Sequence, residues 1–259
     1  MGLFLDEEEY QEELNYWSKQ FTLNCPECNG TTTIKNANGG YNLCNCAKKA
    51  TIFANLVSNG VPKSFINWKW NNCEKASDII LSQCQNYVKN FNNNFKNCHG
   101  MYIFGTQGVG KTTLATVMAK YIGTMINPDT NKRYNVAFAP YETLVHWNIN
   151  TYNQILQQKL ETFVRKSQLA IIDNVGAEPG NQQNNTRLLD KILRERRGRG
   201  YPTIITSNYT VDEIKQHYSD TVKDFITQSF NEIPVIGRNI RAKDNINDLI
   251  NGLDDLGVE

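Results

Sequence analysis

The sequence predicts an α/β protein in which a small cysteine-bearing module precedes a doubly wound parallel sheet. Three observations support this fold class. From residue 76 onward, strand-like apolar runs alternate with helical periodicity, which is typical of parallel sheets. The glycine-rich segment GTQGVGKT, at 105–112, stands between one such strand and a helix. Before this region, four of the seven cysteines cluster within 25–46.

Composition limits the classes of protein to which the chain can belong. Its 259 residues suffice for one sizeable core and a small module, and its formal net charge of +1 implies no bulk attraction to nucleic acid. No run approaches the roughly 18–20 apolar residues of a membrane helix. The acidic N-terminus lacks the layout of a signal peptide, and Asp6 stands where a myristoylation motif requires Ser or Thr. We therefore expect a cytoplasmic protein with no membrane partner.

The first part of the chain is predicted to be helical on both sides of the cysteines. Apolar residues recur at helical spacing over 5–21, and a second helical stretch runs from Lys48 to about Asn59. Gly60 and Pro62 then end the helix. Segment 61–75, which carries two tryptophans, is interpreted as an extended connector. The predicted units are an N-terminal helical and zinc-binding module (1–60), a linker (61–75) and a nucleotide-binding domain (76–259).

Within the last unit, strands and helices are predicted in alternation. The predicted strands are 101–105, 136–140, 168–173, 202–207 and a short one at 233–236, and the predicted helices are 76–97, 111–122, 150–166 and 185–197, with a helical end.

The segment at 105–112 matches the pattern G-x-x-x-x-G-K-[ST] of phosphate-binding loops. Glycines let successive backbone N–H groups turn inward around phosphates, and the positive end of the following helix faces the same anion. Lys111 can reach the β- and γ-phosphates of ATP, and the Thr112 hydroxyl can bind Mg²⁺. A plain glycine-rich turn is the alternative. The candidate nucleotide contacts are Gly105, Thr106, Gln107, Gly108, Val109, Gly110, Lys111, Thr112 and Thr113.

A second Mg²⁺ group is predicted at the end of a neighbouring strand. Four apolar residues lead into Asp173, and a carboxylate after a buried strand is costly unless it faces a site. We assign Asp173 to Mg²⁺ together with Thr112; a surface aspartate after a core strand is the alternative. Asn208 follows the strand 202–207, where doubly wound folds bind ligands, and could sense the γ-phosphate or orient water. Alternatively, Asn208 is only a helix cap before the Thr210–Asp212 segment.

Hydrolysis is expected to be weak or dependent on a partner. Many related enzymes carry a catalytic acid next to the Mg²⁺ acid, but here the next residue is Asn174, which cannot take a proton. Glu178, five residues beyond Asp173, is an alternative base that nothing in the sequence requires.

The cysteine cluster is predicted to bind a structural Zn²⁺. A C-x-x-C turn places two sulfurs on one side, the second pair closes a tetrahedron, and the residues between them can form a hairpin. A module of some thirty residues has too small a core to fold unaided, so metal would hold it together. An iron–sulfur cluster and free thiols are the alternatives. The candidate ligands are Cys25, Cys28, Cys44 and Cys46.

Taken together, these features resemble the DnaC/DnaI-type replicative helicase loaders of the AAA+ ATPases and their phage-encoded relatives. The resemblance rests on an ordered set of motifs rather than on the phosphate loop alone. The set comprises VPKSF at 61–65, GTQGVGKTTLA at 105–115, IIDNVGAEP at 171–179, PTIITSN at 202–208 and GRNIR at 237–241. A zinc-binding module before the ATPase domain is similar to the DnaI-type arrangement.

The resemblance implies a role for each matching residue. Lys111 and Thr112 match the Walker A pair, Asp173 the Walker B acid, and Asn208 the sensor 1 position. Arg241 matches a C-terminal arginine that touches the γ-phosphate. Arg196 matches an arginine that is common shortly before the sensor strand. An equal alternative is that Arg196 belongs only to the solvated basic end of a helix. Its run, RERRGRG at 194–200, is also the best local basic patch for nucleic acid.

Two departures from the family pattern affect the predicted activity. Relatives usually have an acid at the position of Asn174, and many have an arginine finger in the stretch that here reads DFITQ, at 224–228. The resemblance nevertheless implies an ATP-dependent loader that delivers a hexameric replicative helicase onto single-stranded DNA, with self-association as a further expectation. The alternatives are an IstB-like transposase-assisting ATPase and a nucleotide-binding scaffold that does not hydrolyse ATP.

Overall fold

The computed structural model describes residues 2–73 and 76–236 and begins with two packed helices. Helix α1 (Glu7–Thr22) starts at a capping box, in which Asp6 accepts from the Glu9 backbone and Glu9 accepts from the Asp6 backbone. A small antiparallel hairpin, β1 (Thr33–Lys35) and β2 (Tyr41–Leu43), follows, as the sequence predicted. Helix α2 (Asn45–Ser58) then packs along α1. The hairpin and α2 bring the four cysteines together.

Residues 61–73 are not extended, so the prediction of an extended connector is wrong. The segment contains backbone turns, such as that from Phe65 N to Pro62 O, and ends in a short 3₁₀ helix, Trp70–Cys73. Ile66 and Cys73 are buried, and the Trp70 ring stacks on that of Tyr121 with centroids 5.4 Å apart. Burial of these apolar side chains against the following domain bends the segment, because an extended chain would leave them in water.

The remaining elements alternate as the sequence predicted, with some shifted boundaries. They are α3 (Asp78–Lys89), α4 (Phe91–Lys96), β3 (Gly100–Phe104), α5 (Lys111–Thr124), β4 (Ile126–Asn127), β5 (Lys132–Arg133), β6 (Val136–Pro140), α6 (Tyr141–Ile149), α7 (Gln154–Arg165), β7 (Leu169–Val175), α8 (Gln182–Gly198), β8 (Thr203–Ser207), α9 (Val211–His217), α10 (Asp220–Ser229) and β9 (Phe230–Pro234).

Three differences from the predicted elements have local causes. The predicted helix 76–97 is two helices that meet at Asn90, which ends one and begins the next. Helix α6 was not predicted; it is short, and Tyr141, Leu144 and Trp147 are all buried, so its apolar pattern resembles an extension of strand β6. The last strand starts at Phe230 rather than at 233.

Five parallel strands form the central sheet in the order β6-β7-β8-β3-β9. Two apolar clusters cover its two faces, which confirms the predicted doubly wound α/β class. Strand β8 lies between β3 and β7. The carboxyl ends of these three strands therefore meet at one edge of the sheet, where folds of this kind bind ligands.

The N-terminal helices pack directly on the sheet domain. Trp17 of α1 and Ala54 of α2 belong to the same buried cluster as the side chains of α5. Gly123 near the end of α5 has no side chain, and a Cβ there would lie 2.7 Å from Leu56 of α2. At the edge of the sheet, the Asn59 carbonyl accepts from Phe138 N of β6 at 2.9 Å. Helix α2 thus links the cysteine cluster to α5. The predicted domain boundaries at residues 60 and 75 stay a prediction.

Among the described residues, no helix combines the length and apolar character needed to cross a membrane.

Candidate nucleotide and metal sites

The loop between β3 and α5 has the backbone shape that phosphate binding requires. Gly108 and Gly110 have φ values of +83° and +96°, in the left-handed region that favours glycine. At Gly105 a Cβ would lie 2.2 Å from the carbonyl oxygen of Val235, the residue after β9, so only glycine fits there. The loop opens directly into α5, whose N-terminal N–H groups make an anion site.

Lys111 joins this loop to the end of β8. Its ammonium donates to the carbonyls of Gly105 and Thr106 at 2.7 and 2.8 Å, and to Asn208 Oδ1 at 2.8 Å. The side chain is buried. Two residues that the sequence assigned to the nucleotide, 97 positions apart, are therefore in contact.

Thr112 and Asp173 form the second pair at this edge. The Thr112 hydroxyl lies 3.0 and 3.1 Å from the two Asp173 oxygens. Asp173 is buried, not a surface residue, and desolvation raises the pKa of its carboxyl, while hydrogen bonds from Thr206 and Thr112 and the charge of Lys111 oppose the rise. A hydroxyl and a carboxylate side by side are hard oxygen ligands of the kind that Mg²⁺ prefers.

Thr206 is a site residue that the sequence analysis missed. Its hydroxyl donates to Asp173 Oδ1 at 2.6 Å and accepts from the backbone N–H of Asn174 at 2.8 Å. Thr206 therefore orients the carboxylate. The sequence feature that could have indicated this role is a polar residue near the end of the buried strand 203–207, which directly precedes Asn208.

Asn174 lies in a bulge beside the buried carboxylate. The pairing of β7 with β8 shifts register between Ile172 and Val175, and Asn174 has a φ of +60°. Its side chain is exposed. Asparagine tolerates the left-handed region better than most residues. The backbone conformation therefore explains why an asparagine occupies position 174.

Glu178, the alternative base, is hydrogen-bonded through both carboxylate oxygens. Oε2 accepts from Gly176 N at 2.8 Å, and Oε1 accepts from the Tyr218 hydroxyl. The side chain is half-buried in the loop between β7 and α8.

Asn208 does not cap the helix that follows it. Thr210 is the N-cap of α9 and forms a capping box with Glu213. The Asn208 side chain contacts Lys111 instead. The helix-cap alternative for Asn208 is therefore wrong, and the γ-phosphate sensor role stays a prediction.

Arg196 is a buried structural residue, and the alternative of a solvated helix end is wrong. Its guanidinium donates to the carbonyls of Phe163, Val164, Ser167 and Pro202 and to the Thr203 hydroxyl, at 2.8–3.2 Å. Desolvation lowers its pKa to about 9. These bonds tie the end of α7 to α8 and β8, and only Arg194, Arg197 and Arg199 of the basic run are exposed. Arg241 lies outside the described residues.

A narrow cavity of about 70 Å³ adjoins the N-terminus of α5. Its lining includes Val109, Thr113 and Leu114, together with Val235 and with Trp68 and Cys73 of the segment 61–73. Its surface is mostly apolar, which suits a flat ring system next to a phosphate loop.

The four cysteine sulfurs form a compact cluster. All lie within 4.8 Å of one another, with Cys25 to Cys44 at 3.7 Å and Cys28 to Cys46 at 3.5 Å. Tetrahedral Zn²⁺ with Zn–S bonds of about 2.3 Å requires sulfurs about 3.8 Å apart, so these positions fit one metal ion. A cluster of several irons needs wider spacing between its thiolates. The cysteine cluster could therefore bind zinc.

Local backbone structure explains why the sulfurs converge. Cys44 is the N-cap of α2 and Cys46 lies in its first turn, so both thiols face the positive end of a helix. Desolvation raises the pKa of Cys28, but hydrogen bonds, the largest from Cys46, outweigh it and lower the value to about 7. The pKa of Cys46 is raised instead, to about 12, by desolvation and by hydrogen bonds with the other three cysteines, so metal binding must release protons from the cluster.

The fold and the site define the class of protein. A phosphate loop after one strand, a buried acid near the end of another and a third strand between them make this a P-loop nucleotide-binding fold. The solved structure described as the replication initiator DnaA bound to AMPPCP and single-stranded DNA shares this fold, with a TM-score of 0.53 at 11% identity over 68% of this chain and 51% of that one.

The chain belongs to the family of IstB-like ATP binding proteins, whose model matches residues 80–244. It is 26% identical over 142 residues to the replicative helicase loader DnaI of Bacillus subtilis (strain 168). That match covers 54% of this chain and 42% of DnaI, so the chain spans less than half the length of this curated relative.

Two solved loader structures share the fold. The DnaC helicase loader superposes with a TM-score of 0.56 at 20% identity, over 68% of this chain and all of that one. DnaI superposes with a TM-score of 0.55 at 19% identity, over 68% of this chain and 94% of that one. These two structures show the fold, and the family model over residues 80–244 confirms the IstB/DnaC-like family predicted from the motifs.

Proposed function

We propose that this protein is an ATP-controlled loader that delivers a hexameric replicative DNA helicase onto single-stranded DNA. One observation carries the proposal. In a chain of this family, the paired contacts Lys111–Asn208 and Thr112–Asp173 lie at one end of α5, and a four-cysteine module is docked through α2 at the other. The nucleotide site and the partner-binding module would then contact opposite ends of the same helix, α5.

In this proposal the loop 105–113 holds the ATP phosphates. Lys111 neutralises the β- and γ-phosphates, and Asp173 with Thr112 holds Mg²⁺. The cavity beside Val109 and Trp68 receives the base. Asn208 senses the γ-phosphate through the amide that contacts Lys111.

In this proposal the cysteine module binds the helicase, and Zn²⁺ stabilises the hairpin of the module. Both hairpin strands are short, and Tyr41 and Leu43 leave 70% and 60% of their surfaces exposed on one face of β2. Because these side chains are mostly exposed, they contribute little to the folded core and are available to a partner. The exposed arginines Arg194, Arg197 and Arg199 are the proposed contact for single-stranded DNA.

Retention of the protein on an immobilised hexameric replicative helicase tests this function directly. We expect the full chain with MgATP to be retained, and Tyr41→Ala/Leu43→Ala to weaken retention about tenfold or more, since apolar anchors at interfaces often contribute more than 1 kcal/mol each. Ile79→Ala removes an equally exposed side chain (72%) elsewhere and is the matched control. Absence of any complex with the wild-type chain would refute the loader proposal.

Turnover of ATP by the isolated protein is expected to be slow, below the roughly 1 s⁻¹ low end of ordinary enzymes. Asn174 cannot act as a base, and Phe225, in the stretch where relatives carry an arginine finger, packs against the apolar cluster of its domain. Asn174→Glu should raise the rate of phosphate release, although a larger side chain at φ +60° costs about 1 kcal/mol of stability.

Asn174→Gln is the matched control for this change, because it has the length and the backbone strain of the glutamate variant without its carboxylate. Only the glutamate variant should gain rate. Fast release by the wild-type protein alone would contradict the expectation. Release that rises only with helicase and single-stranded DNA would mean that the partners complete the site.

Two other functions compete with the loader. An IstB-like ATPase that assists a transposase shares the sheet domain, but the four-cysteine module favours the loader. A scaffold that binds nucleotide without hydrolysis is favoured by Asn174, and the phosphate-release measurement separates it from the loader.

A further inference from the structure

The loop between β7 and α8 contains a single carboxylate, and it is close in sequence to the Mg²⁺ acid. Residues 174–181 read NVGAEPGN, so Glu178 is the only acid in the loop. The loop leaves the sheet at the edge where Asp173 and Asn208 lie. Within this loop, Glu178 is therefore the carboxylate that could act as general base, a role that the amide of Asn174 cannot fill.

Both oxygens of Glu178 already accept hydrogen bonds. One comes from Gly176 N in its own loop, at 2.8 Å, and the other from the hydroxyl of Tyr218, 40 residues away. A carboxylate whose two oxygens both accept hydrogen bonds is held in one orientation. In this arrangement the carboxylate is engaged in a structural contact.

Tyr218 lies at a junction between two helices. It is the C-cap of α9, and Ser219, the next residue, is the N-cap of α10. Desolvation raises the pKa of the Tyr218 phenol, and the charge of Glu178 raises it further, so the hydroxyl stays a donor. A movement of α9 relative to α10 would change the position of this hydroxyl first.

The same junction contacts the loop at a second point. The ring of His217 stacks on that of Tyr209 with centroids 3.9 Å apart. Tyr209 in turn covers Gly176, where a Cβ would lie 2.3 Å from the tyrosine ring. Since Tyr209 directly follows Asn208, the α9–α10 junction touches both loops that carry site residues.

We propose that Tyr218 is a positioning residue that latches Glu178 away from the attacking water, and that a partner which shifts the α9–α10 junction frees this carboxylate to act as the general base. The inference rests on the proposed ATPase function. Once free, Glu178 takes a proton from the water as the water oxygen bonds to the γ-phosphorus. The bond from that phosphorus to the β–γ bridging oxygen breaks, and ADP leaves with its electron pair.

Steady-state phosphate release by Tyr218→Phe tests the latch. This variant keeps the ring and removes only the donor, so kcat should rise about tenfold or more, in line with the contribution of a positioned base, while the KM for ATP stays unchanged. Adding Glu178→Gln to Tyr218→Phe should remove the gain. Tyr87→Phe is the matched control: Tyr87 is also a buried tyrosine with a raised pKa, but its hydroxyl donates to the His99 carbonyl.

The possible results separate the latch from the function on which it rests. Thermal unfolding and binding of a fluorescent ATP analogue establish that each variant is folded and binds nucleotide. With binding intact, an unchanged or lower kcat in Tyr218→Phe, or a gain that survives Glu178→Gln, would overturn the latch alone. If the wild-type chain does not bind the analogue, both the proposed function and the latch fail. Stimulation of the wild-type rate by helicase that is lost in Glu178→Gln would support the release step.

Discussion

Lys111→Ala is expected to weaken ATP binding about 100-fold or more. The ammonium is the principal cation of the phosphate loop, and hydrogen bonds to charged groups contribute about 1.5–3 kcal/mol each. The same side chain holds the carbonyls of Gly105 and Thr106 and the amide of Asn208, so its removal also loosens the site. Titration with a fluorescent ATP analogue measures the loss.

Lys132→Ala is the control for this experiment, since it removes an exposed lysine of β5 and should leave ATP binding unchanged. A thermal melt establishes that Lys111→Ala remains folded. Undiminished binding by a folded Lys111→Ala protein would show that the nucleotide does not bind at this loop.

Removal of the metal is expected to unfold the cysteine module while the sheet domain stays folded. The purified protein should contain one Zn²⁺ per chain, and a chelator should abolish protection from hydrogen exchange in residues 22–47. The hairpin has no apolar core of its own beyond the cysteines and Phe21, so metal binding would supply most of its stability. The buried residues of α2, such as Ala54, pack with the sheet domain and should keep their protection.

Cys44→Ser and Cys98→Ser form a matched pair for this measurement. Cys44 is fully buried in the cluster, whereas Cys98 lies outside it and is half-exposed. Only Cys44→Ser should lose zinc. Elemental analysis that finds no metal, or finds iron with sulfide, would refute the zinc assignment; iron without sulfide would mean that a single iron occupies the same four thiolates.

The role of Thr206 and the turns of the segment 61–73 could not be predicted from sequence patterns. A threonine near the end of an apolar strand is a weak signal, because its contact with Asp173 forms only when β7 and β8 pair. The sequence predicts an extended connector at 61–75. Its turns and 3₁₀ helix arise from burial of Ile66 and Cys73 against a domain that follows it in the chain.

Sequence by itself determined the elements whose information is local. The phosphate loop needs closely spaced glycines followed by Lys111, and most strands and helices follow from apolar periodicity. The four cysteines were equally readable, because C-x-x-C and C-x-C spacings place sulfurs together over a few residues.

Only the tertiary structure decided which distant residues these elements meet. For Arg196 the sequence left a family-matched arginine and a solvated basic helix end as equal alternatives; the residue is buried against carbonyls about 30 positions away in the chain. For Glu178 the sequence offered only the role of an alternative base; its carboxylate accepts a hydrogen bond from Tyr218. Both outcomes depend on how helices pack across the sheet. Burial makes an unpaired polar group costly, so packing decides which donor each acceptor finds.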